Sequence, residues 1–314
     1  SLALHEQHGH RLEIRRVKAA LAFTAWKQGR LAEAEDLYRD VIAGGRDTGD
    51  RAGTGNALSC LGLVLMDMGR PADAEQPLRE SLDLQESLHD LRGAAVSAGN
   101  LARLSVHRGQ LREARIWYLQ SLDGLRRMGD RRLEGIVTRN LGVLALSLGE
   151  PRAAEEHFRF ALLVARETDD PWNAGKALSD LAELLMLDDR LDESIVRYQE
   201  ALVSARAVGD HRNAAIIEGN LSVILHRQGD LDGAEELGVR CLDAIAALGL
   251  PRPLAWFLAY GSLLSAERGE LERAESRLAE ATEAMHAVQD QRGLELVAIC
   301  AAGVRLARTR ASGT

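Results

Sequence analysis

Cysteine is scarce in this chain of 314 residues. Its three copies, Cys60, Cys241 and Cys300, lie far apart with no CxxC spacing. That distribution excludes a disulfide framework and a cysteine-based zinc site, and it fits a reducing compartment. Lysine is nearly missing too: Lys18, Lys27 and Lys176 are the only copies, so arginine carries almost all the positive charge. The skew fits a GC-rich genome better than a phosphate site. With a net charge of −8, a general nucleic-acid-binding surface is excluded. The most apolar segment, PLAWFLAYGSLLSA at 253–266, falls short of the roughly 20 residues a spanning helix needs. No secretory signal opens the chain. A cytoplasmic protein without a membrane partner is expected.

Catalytic motifs are missing as well. There is no Ser-His-Asp order, HExxH, Walker loop or GxGxxG. His5, His8 and His10 gather near the first residue without further ligands, and His107 and His226 stand singly. The pairs Glu155-Glu156 and Glu235-Glu236 read as solvated helix faces. The expectation is no catalytic residue, no metal, no cofactor and no enzyme.

What is present is a period. GRLAEAE begins at Gly29, GRPADAE at Gly69, GQLREAR at Gly109 and GEPRAAE at Gly149. DRLDESI at Asp189, GDLDGAE at Gly229 and GELERAE at Gly269 continue the series at a spacing of 40 residues, without an insertion. Aromatics are only 4%, and Ala, Leu, Arg and Glu dominate, so the units are helical. Each reads as two helices, as in the fourth repeat, where the first spans about 131–148 and the second ends near 168. Gly149 supplies the left-handed residue between them. Pro71 and Pro151 open second helices, where a missing N–H costs nothing. The aspartates of MGDRR (128–132) and VGDHR (208–212) cap the helices that follow. Asp189, in place of Gly, predicts a strained left-handed turn.

Fixed positions describe the packing. Leu21, Leu61, Leu101, Leu141, Leu181 and Leu221 form a ladder on the first helices. On the second helices, Ala34, Ala74, Ala114, Ala154, Ser194, Ala234 and Ala274 mark close approach. Four residues on, Tyr38, Leu78, Tyr118, Phe158, Tyr198, Gly238 and Leu278 are large plugs with one gap. Another four residues bring Ile42, Leu82, Leu122, Leu162, Leu202 and Leu242, on the same helix face. Such units bury their faces only by stacking.

Leu141-Gly142, Ala154 twelve residues after the glycine, then Phe158 and Ala161 resemble the signature of the tetratricopeptide repeat. The resemblance spans essentially the whole chain. It departs at Arg166, where the usual 34-residue unit closes with proline, and the second helix and turn are longer. The 40-residue form is similar to LGN/Pins-type adaptor repeats and to the sensor arrays of bacterial signalling ATPases and transcription regulators. It implies an all-α, right-handed superhelical solenoid of about seven helix-turn-helix repeats plus a C-terminal capping helix. The expected organisation is a remnant of a preceding repeat's second helix at 1–9 and seven repeats at 10–50, 51–90, 91–130, 131–170, 171–210, 211–250 and 251–289. A capping helix follows at 290–309, then a fraying tail at 310–314. SLALHEQHGHR (1–11) aligns with SLDLQESLHDL (81–91), and no initiator Met is present, so a piece of a longer protein is expected.

The resemblance places first helices on the concave face. There, steps of 40 give Ala20, Cys60, Asn100, Asn140, Asp180, Asn220 and Tyr260. One turn earlier lie Arg16, Asn56, Val96, Ile136, Lys176, Ile216 and Trp256, and three residues later Arg103, Val143 and Glu183. Offsets of 4 and 3 put all three columns on one stripe. An Asn amide can satisfy both groups of an extended peptide bond, and flanking Val and Ile can bury ligand side chains. Bonds between neighbouring repeats that fix register are the other reading, and both stay open. The candidate peptide-binding residues are Asn56, Val96, Asn100, Arg103, Ile136, Arg139, Asn140, Lys176, Asp180, Glu183, Ile216, Asn220, Trp256 and Tyr260. LGN-type repeats carry Arg one turn before the Asn; Val96, Ile136 and Ile216 stand there instead, so an amphipathic segment is expected rather than a polyanion. In the seventh repeat, Trp256 and Tyr260 are either an aromatic anchor or a filling for the hole at Gly238.

The expected function is a protein- or peptide-binding module in a bacterial signalling protein, the partner being a protein segment or a domain of the same full-length chain. A stand-alone scaffold or adaptor is the alternative, and so is self-association into a homo-oligomer through an uncapped first repeat.

Overall fold

A computed structural model describes the backbone of residues 2–287 and 290–311, with side chains from Leu12 onward except at 292 and 311. The clustered histidines His5, His8 and His10 and the end of the expected tail, 312–314, lie outside the described side chains and residues. Fifteen α-helices and no strand are present among the described residues. They are α1 (Leu2–Lys27), α2 (Leu31–Thr48), α3 (Arg51–Asp67), α4 (Pro71–Ser87), α5 (Leu91–His107), α6 (Leu111–Met128), α7 (Arg131–Ser147) and α8 (Pro151–Glu167). Next come α9 (Pro171–Leu187), α10 (Leu191–Ala207), α11 (His211–Arg227), α12 (Leu231–Ala247), α13 (Pro251–Glu267), α14 (Leu271–Ala287) and α15 (Gln291–Ala311). Helix α1 runs without a turn through the junction expected near residue 9. The chain divides into two compact units, Ser1–Val164 and Ala165–Thr314.

The turns obey a finer rule than the 40-residue period. Ten glycines from Gly29 to Gly269, with His89, Asp169 and Asp189, hold positive φ at steps of 20 residues. Both the turn within a repeat and the turn between repeats therefore use one left-handed residue. After it, an N–H returns to a carbonyl five residues back, as Asp50 N to Gly45 O (2.9 Å) and Arg70 N to Leu65 O (2.9 Å). Asp50, Asp90, Asp130, Asp170 and Asp210 then cap the next helix, each accepting from the backbone N–H three residues on.

Inside each unit, successive antiparallel helices pack in order. In the first unit, Ala34, Ala74, Ala114 and Ala154 are fully buried, and the plugs Tyr38, Leu78, Tyr118 and Phe158 are buried beside them. Small residues on the first helices receive the plugs: a Cβ on Gly142 would lie 2.5 Å from Phe158 Cε1, and one on Gly62 would lie 2.5 Å from Leu78 Cγ. In the second unit, Ser194, Ala234 and Ala274 repeat the close approach, with Ser194 Oγ donating to Ala182 O at 2.7 Å. The leucine ladder is buried from Leu61 to Leu221, but Leu21 is 53% exposed. Among the described residues, helix α1 packs on α2 and α3, and Leu21 lies on the part of its surface that these two helices leave open.

Candidate functional site

On the first unit, the predicted stripe reaches the surface of α3, α5 and α7. Asn56 and Val96 are exposed, Arg103, Ile136, Arg139 and Asn140 are half-buried, and Asn100 is buried. This face is indented twice. A cavity of about 480 Å³ lies between α1, α2 and α3, and a second of about 390 Å³ lies between α3 and α5, with Asn56 and Cys60 shared by both.

The asparagines are not equivalent. Asn100 donates from Nδ2 to Ser59 Oγ at 2.8 Å and so ties α5 to α3. Asn56 accepts at Oδ1 from Gln85 Nε2 at 3.0 Å, within its own repeat. In the second unit, Asn220 donates from Nδ2 to the Tyr198 hydroxyl at 2.9 Å. Asn140 makes no side-chain hydrogen bond among the described residues. Its counterpart of Ser59 is Gly99, which has no hydroxyl.

A tyrosine column escaped the sequence reading. By size, Tyr38, Tyr118 and Tyr198 are plugs, yet each also precedes the Asn-column residue by 22 positions. The Tyr198 hydroxyl accepts from Asn220, and Tyr38 lines the cavity between α1, α2 and α3 together with Cys60, so a polar tip on an apolar plug meets the stripe. Burial raises the Tyr118 hydroxyl to about 12 despite the opposing charges of Arg103 and Arg139. It is a neutral donor at ordinary pH. Arg103 forms no ion pair among the described residues.

On the second unit, Lys176, Asp180, Ile216 and Asn220 are half-buried and Glu183 is exposed. The Lys176 ammonium lies 4.6 Å from the Trp172 ring centre, a cation–π contact one turn apart on α9. Protein packed around Glu183 desolvates its carboxyl, and Asp180 adds like charge; together they raise its pKa.

The seventh repeat separates its aromatics. Trp256 is 48% exposed, whereas Phe257 is half-buried. A Cβ on Gly219 would collide with the Phe257 ring, and the space that Phe257, Gly219, Gly238 and Arg277 enclose is only about 10 Å³. That is scarcely room for one water. Phe257, not Trp256, therefore lines the small space beside Gly238, with its ring against Gly219. Tyr260 is half-buried, and its hydroxyl lies 3.1 Å from His226 Nδ1. The Nε2 of His226 lies 3.1 Å from a Glu267 carboxylate oxygen, so the lone histidine sits between a hydroxyl and a carboxylate.

Among the described residues, no group of three or more His, Cys, Asp or Glu side chains could hold a metal ion, and no helix is long and apolar enough to cross a membrane. All three cysteines are free, and burial raises the pKa of each thiol.

The tetratricopeptide repeat profile matches residues 13–87, 53–127, 93–167 and 173–247. No curated protein matches the chain. Among solved structures, a signal transduction ATPase with numerous domains from Pyrococcus horikoshii, which carries a tetratricopeptide repeat sensor, superposes with a TM-score of 0.69 at 17% identity. That match covers 91% of this chain and 44% of the ATPase. A Rap protein complexed with competence and sporulation factor gives a TM-score of 0.66 at 16% identity, covering 94% of this chain and 75% of the other. The Rap conjugation gene regulator of the plasmid pLS20, in complex with a Phr peptide, gives 0.69 at 15%, covering 89% and 76%. At such identities these likenesses show the fold alone, while the profile matches run over more than half of the sequence and make the protein a member of the tetratricopeptide repeat family, whose repeats are scaffolds for protein interaction.

Proposed function

We propose that the protein is a peptide-binding sensor or regulatory arm of a larger bacterial signalling protein, in the cytoplasm, and that its first-helix face takes an amphipathic segment. Asn140 carries the reading. Its amide has no partner among the described residues, and its stripe neighbours are Ile136 and the 40% exposed Val143. An extended peptide supplies the acceptor and donor that such an amide lacks, and apolar side chains to cover its neighbours. The Rap regulator bound to a Phr peptide and the ATPase with its repeat sensor support the same use of this fold.

The test is to select binders from a random peptide library with blocked ends and measure Kd by calorimetry in low and high salt. Asn140→Ala is expected to weaken binding about tenfold, with helicity unchanged and only a shallow salt dependence. Unchanged affinity in the variant, or a steep loss with salt, overturns the reading.

Self-association is a second reading with an observation of its own. Ile14, Val17 and Leu21 form an exposed apolar row on α1, at 46%, 59% and 53%. Light scattering across a concentration series separates it from a monomeric receptor.

A further inference from the structure

Three departures from the repeat coincide in the second unit, where the end of α8, the start of α9 and the last turns of α10 meet. The first is size. Ala165, Ala174 and Ser204 stand where the junction one repeat earlier packs Leu125, Glu134 and Val164, all buried. One repeat later Ala205, Ala214 and Ala244 are small as well, but there the buried Glu218 draws in Arg206 and Arg240. At the α9 junction the Glu218 position is Leu178, and Arg166 turns instead to the half-buried Glu200 at 3.0 Å. What remains is an open cavity of about 450 Å³ with Pro171, Ala174 and Leu178 in its wall.

The second departure is apolar exposure. Val203 is 71% exposed at the cavity mouth, at a position where α4, α6, α12 and α14 carry Asp83, Asp123, Asp243 and Glu283. The third is Asp169, which holds φ at +50° in a between-repeat turn that Gly49, Gly129, Gly209 and Gly249 make elsewhere. A side chain in that region strains the backbone, and glycine avoids the strain. What the strained turn adds is a carboxylate on the rim. Asp169 is exposed, and its side chain makes no hydrogen bond or ion pair among the described residues. The other acids of the lining are engaged. Glu200 takes Arg166 and, at 2.6 Å, Arg197. Buried Asp170 accepts from the backbone N–H and Nδ2 of Asn173. That cap answers an opening N–H of α9, while the last turn of α8 presents the carbonyl end of a helix, which favours a cation.

We propose that this cavity docks a partner protein through a lysine or arginine side chain that follows an apolar residue. The basic head meets Asp169 at the rim, and the alkyl stem and the apolar neighbour cover Val203, Ala174 and Leu178. Charge decides the sign of the guest. The lining sets Asp169, Asp170 and Glu200 against Arg166, so an acidic segment would add to an excess of its own sign. Size decides its extent, since about 450 Å³ is a pocket for a short segment rather than for an ion. None of these residues belongs to the first-helix stripe, so the proposal stands independently of the Asn140 reading.

Nuclear magnetic resonance on the full chain with labelled methyl groups tests it with three end-blocked dipeptides: leucyl-lysine, leucyl-norleucine and leucyl-glutamate. Leucyl-lysine is expected to shift the Val203 and Leu178 methyl signals. It should bind about fivefold more tightly than leucyl-norleucine, which keeps the stem and lacks the charge. Leucyl-glutamate should bind more weakly than either. Asp169→Gly should erase the preference for lysine while raising the melting temperature, because the turn regains the residue that most of its counterparts use. A merely structural Asp169 would leave the preference intact. Ala174→Leu should fill the cavity and abolish the shifts. Equal affinities among the three dipeptides, a preference that survives Asp169→Gly, or no shift at Val203 and Leu178 overturns the proposal. The peptides selected to test Asn140 should bind Asp169→Gly as they bind the parent, so the two readings fail separately.

Discussion

Asn100 Nδ2 donates to Ser59 Oγ at 2.8 Å, joining the first helices of two consecutive repeats, while Asn140, one period later, has Gly99 in the serine's place. The same amide at the same repeat position is a register tie in one case and is left unpaired in the other.

Asn100→Ala is therefore expected to lower stability by about 1–2 kcal/mol, because a buried bond is lost. A double-mutant cycle with Ser59→Ala should return a coupling of about 1 kcal/mol. Asn140→Ala should stay within about 0.5 kcal/mol of the parent. Urea unfolding followed by circular dichroism measures all four.

Phe257 and Trp256 should separate in the same way. Phe257→Ala opens space against Gly219 and should cost about 3 kcal/mol. Trp256→Ala removes a ring that is 48% exposed and should leave the melting temperature unchanged while weakening peptide binding.

Glu134 on α7 gives a pH test. Desolvation raises its pKa, but hydrogen bonds from Arg126 (2.9 Å) and Arg131 (2.6 Å) outweigh that and hold it below the usual carboxylate value. The unfolded chain thus takes up this proton first as pH falls. The stabilisation is complete above the ordinary carboxylate pKa of about 4.3 and disappears as pH drops through the lower folded value. Glu134→Gln should be less stable at neutral pH and should lose less stability on acidification, measured by urea unfolding at neutral pH and in acid.

His89 holds φ at +54° where most turns use glycine. Its exposed side chain makes no hydrogen bond among the described residues, so His89→Gly relieves backbone strain at little other cost. A gain of about 0.5–1 kcal/mol is expected in urea unfolding.

Much of the fold was legible because its signals are local. Gly29, Gly69 and their equivalents end helices by backbone conformation, the aspartates after the second turn cap by reaching three residues ahead, and the Ala and plug ladders follow from the helical period. The 20-residue rhythm was harder to read because His89 and Asp169 hide two of its left-handed turns. Leu21 belongs to the leucine ladder by period, yet it is 53% exposed, because burial depends on which helices pack against α1 and not on the repeat position.

By itself, then, the sequence determined the repeat, the helix pairs and the family, since a spacing of 40 residues and a plug-to-glycine fit are properties of the chain repeated along its length. Tertiary structure alone decided what each polar residue on the stripe meets. Asn100 reaches Ser59 across 41 residues, Asn220 reaches Tyr198 across 22, and Asn140 reaches neither kind of partner. Phe257 turns inward while Trp256 faces solvent, and Arg15 is enclosed because two glycines stand opposite it. Periodicity sets the face on which a side chain lies, but a hydrogen bond is won or lost over a few tenths of an ångström between helices.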